Sequence, residues 1–297
     1  MRLAISNIAW PAGADAAVAP LLRAHGVEGV ELALTKIWPE PLAVPATEVR
    51  AYRDGWQKQG LRIIALQALL FGKPHLTLFG SEQVRRQMLD YLAGMIERAG
   101  LLGAGVLVLG SPKNRQRQGL GLRQTWTIAV PFFRELGRIA RRHGVCFCIE
   151  PNPPAYGCDF VTTVAEGVEL VDAVGDEGFG LHLDTAGMSL VGDPPAASIR
   201  DAGDRCRHFH VSQPFLTEVC GGTVPHDEFA PALQAADYQD WVSIEMGEVK
   251  GAGAWPMAVE RALAFVRAAY FSPTNIRVAA DQGIMGGFHV HPIRPNG

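Results

Sequence analysis

A single α/β barrel of eight parallel strands is the fold this sequence predicts, and three observations predict it. Short runs rich in Val, Ile and Leu alternate eight times with longer stretches of helical period along the 297 residues. The repeat is about 34 residues, the size of one strand–helix unit with a right-handed crossover. Glycines (Gly26, Gly60, Gly100 and Gly144) stand where helices should stop and turn into the next strand. Eight such units close a cylinder, so the architecture is a single (β/α)8 TIM barrel. A doubly wound open sheet would need a Gly-rich fingerprint after its first strand, and residues 7–13, NIAWPAG, carry none.

The elements follow in order. The opening MRLAISNIAW has one basic residue and no apolar core of a leader, so residues 3–8 read as the first strand. Further strands are expected at 27–34, 61–66, 105–109, 145–150, 179–184, 206–211 and 241–246. Helical periodicity covers 15–25, 46–59, 82–99, 122–143, 163–174, 194–201, 226–236 and 256–270. The barrel therefore spans residues 1–270. Residues 271–297 form a C-terminal extension with scattered Pro, Gly and His, either an arm reaching a partner subunit or a disordered end.

Composition excludes several classes. The 27 basic residues against 30 acidic ones give a net charge of −3 with no basic block, which argues against holding a nucleic-acid backbone. The longest apolar stretches, such as 63–71, are far short of a membrane span. Hydrophobic residues at 48% with 19% charged suit a large core and not a disordered chain. Five cysteines, an odd and thinly spread set, indicate reduced thiols and a cytoplasmic protein, with Cys146 and Cys148 as small buried side chains.

Chemistry in such a barrel gathers at the C-terminal ends of the strands. The last four strands each finish on a metal-ligand type: Glu150, Asp184, His210 and Glu245, spaced by 34, 26 and 35 residues. Strand alternation turns Cys148, Glu150, His182, His208 and Ser243 inward, and Val145, Phe147 and Ile149 outward. A carboxylate within an apolar strand is costly to bury unless paired or bound to a metal. Three carboxylates and one imidazole make a hard oxygen–nitrogen site for one divalent metal ion: Mn²⁺, Mg²⁺, Co²⁺ or Zn²⁺. Such an ion acts as a Lewis acid on a carbonyl, acidifies the neighbouring C–H and stabilises an enediolate.

Other rim residues complete the expectation. Glu31 and Gln67, ending strands two and three, could hydrogen-bond sugar hydroxyls. Lys113, Asn114 and Arg115, after strand four, could grip a phosphate or carboxylate, with a solvated basic loop as the alternative. Asn152 sits above Glu150, where its amide could orient substrate. Trp10, Trp38 and Phe71 could form an apolar wall against a sugar face. His182 and His208, one inward step below ligands, fill the barrel. Ser212 follows His210 without any nucleophile elbow.

The Glu–Asp–His–Glu pattern on strands five to eight resembles the sugar phosphate isomerase/epimerase superfamily, xylose isomerase and D-tagatose 3-epimerase-type barrels included, over nearly all of residues 1–270. The resemblance implies that Glu150 and Glu245 bind the metal and flank the substrate carbon as paired acid and base, with Asp184 and His210 as further ligands. It implies a carbohydrate isomerase or epimerase acting on a sugar, sugar phosphate or sugar acid, as a homo-oligomer. An inosose dehydratase-like lyase would use the same site. Two departures stand out: Gly187 replaces the histidine of an Asp-x-x-His pattern, and residues 212–219, SQPFLTEV, replace an arginine-bearing loop. Strands three and four end in Gln67 and Gly110, so the extra ligands of a three-metal endonuclease are missing.

Overall fold

The computed structural model describes residues 1–272, and the rest of the expected extension lies outside the described residues. Eight parallel strands close in sequential order: β1 (Arg2–Ser6), β2 (Gly29–Ala33), β3 (Arg62–Gln67), β4 (Val106–Leu109), β5 (Cys146–Ile149), β6 (Phe179–Asp184), β7 (Cys206–Ser212) and β8 (Trp241–Glu245). β8 returns to pair with β1, from Arg2 opposite Trp241 to Ile5 opposite Ile244. The closed eight-stranded barrel is thus the predicted one.

Ten helices surround it among the described residues: α1 (Asp15–Ala24), α2 (Leu34–Ile37), α3 (Ala46–Lys58), α4 (Glu82–Leu102), α5 (Leu122–Arg142), α6 (Val164–Val174), α7 (Thr185–Val191), α8 (Pro195–Ala202), α9 (His226–Ala235) and α10 (Ala254–Phe271). Eight were expected from periodicity. The additional α2 and α7 follow β2 and β6 directly and escape a periodicity test for a physical reason. Helix α2 is a single turn, and α7 opens with four consecutive buried residues, Thr185 to Met188, so it has no polar stripe.

Two layers of core follow from strand alternation. Phe147, Ile149, Leu181, Phe209 and Val242 point outward into the layer shared with the helices. Inside the cylinder, Ala4, Ile64, Val106, Cys146, Cys148 and Trp241 pack as a separate floor. Arg2 lies over the Trp241 ring, 4.1 Å from its centroid, closing the N-terminal end. All five cysteines are free thiols. No helix among the described residues is long and apolar enough to cross a membrane.

Close backbone approach sets the spacing of α5 against the start of β6. A Cβ on Gly178 would sit 2.1 Å from the carbonyl oxygen of Gly137 and 2.9 Å from the amide nitrogen of Arg141. Backbone cannot yield there as a flexible side chain would. Gly178→Ala should destabilise the fold by about 3 kcal/mol, read as a lower denaturation midpoint with an unchanged denaturant slope.

Candidate metal centre and active-site cavity

A cavity of about 530 Å³ opens at the C-terminal end of the strands. Glu150, Asp184 and Glu245 line it, alongside Gln67, Asn152 and Ser212. One donor atom each from Asp184, His210 and Glu245 lies within 4.8 Å of the other two. Glu150 is outside that triple and stands on the same wall, its amide bonded to the Leu109 carbonyl at 3.2 Å. Gly110 makes room for it: a Cβ there would fall 2.4 Å from Glu150 Oε2 and 3.4 Å from Asn152 Oδ1. The strand-four position that lacks a ligand therefore has a positive role, the absence of a side chain.

Each ligand candidate is held from behind. Asp184 accepts the Gly187 amide at 2.6 Å through Oδ1 and the Ser212 hydroxyl through Oδ2, so it also caps α7. Ser212 in turn accepts the Ala186 amide at 3.2 Å. The His210 ring is fixed by Glu31, whose Oε2 lies 2.8 Å from Nε2 and also accepts the Ser243 hydroxyl at 2.8 Å. That leaves His210 Nδ1 facing Glu245 Oε2 at 3.4 Å, with no hydrogen-bond partner of its own.

The electrostatics explain what this cluster wants. Burial, then the neighbouring carboxylates of Glu245 and Asp184, push the Glu150 carboxyl up to about 8. Burial and Glu245 raise Asp184 to about 6, against the pull of His210 and the hydrogen bonds from Ser212 and Gly187. Burial alone would lower His210, but Glu31 and Glu245 overcome it and hold the imidazole well above its ordinary value. Burial would raise Glu31, yet His210 and His208 hold it well below the usual carboxylate range. Repelling carboxylates beside an imidazole nitrogen with no partner are a donor set short of a cation. The residues fit a divalent metal.

Several expected contacts are corrected. Glu31 is fully buried beneath His210 and does not line the cavity; inward parity was right, but its strand ends two residues later, which sinks the side chain. Asn114 is buried with Nδ2 on the carbonyls of Lys73 and Leu76, at 2.9 and 2.7 Å, and so ties two loops together. Arg115 is fully buried and donates to the carbonyls of Gly110, Phe160, Val161 and Glu150, bracing the backbone behind the site. Lys113 is exposed and off the cavity wall. Trp10 bonds Asp15 and Trp38 bonds Glu48, both away from the cavity, whereas Phe71 does line it.

Gln67 and Asn152 are where they were expected. Gln67 donates to the Ser6 hydroxyl, and Asn152 presents a buried Oδ1 without a partner. Sequence reasoning named Ser212, Gly110 and the segment that carries Phe215 without giving them a place on the cavity wall, and it passed over Tyr156. Ser212 was legible: it shares the inward parity of His210, two residues on. His182 and His208 lie fully buried below the ligands, and burial keeps His182 well below its ordinary value.

Two outcomes follow from this geometry. In the metal-free protein Glu150 binds its proton more tightly folded than unfolded, so its contribution is present at low pH and lost as pH rises from the ordinary carboxylate range through about 8. Thermal midpoints in chelator should therefore show Glu150→Gln gaining stability over the parent from pH 5 to 8, a gap that added Mn²⁺ reverses; a constant gap would contradict the assignment. Glu31→Gln should weaken Mn²⁺ binding by about 10–100-fold in calorimetry, because the ring of His210 loses its orienting carboxylate.

Comparison with known proteins agrees with this architecture. The chain is 25% identical over 235 residues to an L-ribulose 3-epimerase of Methylomonas sp. (strain DH-1), covering 79% of this chain and 78% of that protein. A probable ketose 3-epimerase of Synechocystis sp. is 36% identical over 104 residues, about a third of each chain (33% and 34%). The solved structure of D-psicose 3-epimerase from Clostridium cellulolyticum H10 with D-tagatose superposes with a TM-score of 0.76 at 18% identity, covering 91% of this chain and 99% of that one. The profile of the xylose isomerase-like TIM barrel family matches residues 19–269, and the chain belongs to that family.

Proposed function

We propose that the protein is a divalent-metal-dependent carbohydrate epimerase that moves a proton on the carbon beside a sugar carbonyl. The observation that carries this is the placement of Glu150 and Glu245. They come from β5 and β8, on either side of Asp184 on β6 and His210 on β7, and both face one cavity. Inverting a carbon centre requires one group to take a proton and another, across the substrate, to return one. Glu150, on the cavity wall beside Asn152, is one of the two carboxyl groups placed to exchange that proton. Glu245, 3.4 Å from the imidazole of His210, is the other.

Asp184, His210, Glu245 and Glu150 are the residues that would hold the metal, and when bound it supplies a Lewis acid that polarises the carbonyl. Asn152 Oδ1 and the Gln67 amide would orient hydroxyls. The likeness to an L-ribulose 3-epimerase and to a probable ketose 3-epimerase supports the same reading.

Solvent-deuterium exchange into ketoses in the presence of Mn²⁺ tests it. Exchange with recovery of two epimers is expected, and Glu150→Gln and Glu245→Gln should each reduce it at least about 100-fold with the circular dichroism spectrum unchanged. An unsaturated, ultraviolet-absorbing product would instead assign the lyase chemistry.

A further inference from the structure

The end of the barrel where the strands begin carries the opposite charge to the end where they finish. A cleft of about 240 Å³ opens there, lined by Arg2 of β1, Arg62 of β3 and Arg207 of β7. Asp240 is the one carboxylate on its wall, in a long ion pair with Arg2 at 3.8 Å. Arg62 and Arg207 have no ion-pair partner among the described residues. Other arginines do: Arg205 Nε holds Asp172 at 2.6 Å, and Arg141 reaches Asp176 at 3.5 Å.

The backbone brings these three like charges together. Arg2 and Arg62 stand two residues before Ala4 and Ile64, which pack inside the cylinder, so strand alternation turns both arginines inward. Arg207 arrives by a β-bulge. Leu181 stands opposite Cys206 and His182 opposite His208, which leaves Arg207 as the extra residue of β7. Gly180 makes room for it: a Cβ there would fall 2.5 Å from Arg207 Cγ and 3.0 Å from Cys146 Sγ. The Trp241 ring orients the other two guanidinium groups, with Arg2 at 4.1 Å and Arg62 at 5.9 Å from its centroid. Gathering cations in one cleft costs repulsion energy that an anion between them reverses.

We propose that this cleft at the N-terminal end of the barrel binds a phosphate group, free or as the monoester of a small molecule. Three guanidinium groups against one carboxylate leave 3 − 1 = +2 on the wall, the charge that a phosphate dianion neutralises and a single carboxylate does not. The planar forks of arginine also match the oxygens of phosphate in pairs. A volume of about 240 Å³ is below the range of drug-sized ligand sites, so the occupant is small. Bound phosphate would tie together the first residues of β1, β3 and β7, and so stabilise the closed cylinder. The site is at the opposite end from Glu150 and Glu245, and the inference stands independently of the epimerase reading.

The test is calorimetric titration of the Mn²⁺-loaded full chain with inorganic phosphate, with glycerol 3-phosphate and with glycerol, at constant ionic strength. Both phosphate species should bind and glycerol should not. Tighter binding of glycerol 3-phosphate than of inorganic phosphate assigns the site to an ester, and the reverse assigns it to the free ion. The double variant Arg62→Gln with Arg207→Gln should weaken both by about tenfold or more. Both residues are exposed, so the circular dichroism spectrum should be unchanged. As a second readout, phosphate should raise the thermal midpoint of the parent and not that of the double variant. Absence of binding by either phosphate species overturns the inference. An affinity that the double variant leaves unchanged overturns it too, by assigning the phosphate to the metal at the other mouth.

Discussion

The mutual repulsion of Glu150, Asp184 and Glu245 at one mouth is the constraint on which the rest of this structure depends. Close carboxylates in a low-dielectric setting cannot all ionise unless a cation joins them, and burial sharpens the conflict. The fold answers with fixed dipoles and donors. The amide of Gly187 and the hydroxyl of Ser212 attend Asp184, and Glu31 turns the ring of His210 so that one nitrogen faces the cluster. Even the missing side chain at Gly110 belongs to this arrangement, since any Cβ would occupy the place of the Glu150 carboxylate.

Around that cluster the protein gives up local stability for shape. Arg115 sits fully buried with its guanidinium spent on backbone carbonyls, one of them the carbonyl of Glu150 itself. Buried charge of this kind is tolerated where every donor finds an acceptor. The loops after β3, β4 and β7 hold Ala68, Ser111, Phe215 and Leu216 in backbone conformations that favour glycine. The two devices have one effect: a rigid wall that leaves its polar groups pointed at the carboxylates and its apolar ones at the opening.

The departures from the family pattern acquire a physical sense in this setting. At Gly187 a Cβ would come within 3.3 Å of Asp184 Oδ1 and 3.4 Å of the Pro151 carbonyl, so the absence of a side chain lets the amide reach the carboxylate closely. The segment after β7 that carries no arginine carries Phe215 and Leu216 in its place. That segment gives the cavity an apolar border, beside the carboxylates of Glu150, Asp184 and Glu245.

What the sequence determined by itself is everything that depends on period and parity. Alternating apolar runs predicted eight strands within two residues of their bounds, and inward parity placed Glu150, Asp184, His210 and Glu245 at one end of the barrel. Local polarity could not tell a side chain that faces substrate from one that faces a carbonyl. Asn114 and Arg115 read as ligand-gripping groups because they are polar and follow a strand. Only the path of the neighbouring loops, set by contacts 35 to 46 residues away, directs them into the backbone of those loops. Glu31 differs from the other rim carboxylates by depth, because β2 runs two residues past it to Ala33, an end point fixed by pairing with Gln67 of β3. Burial depth and loop path are sums over distant residues, so the tertiary structure decided them.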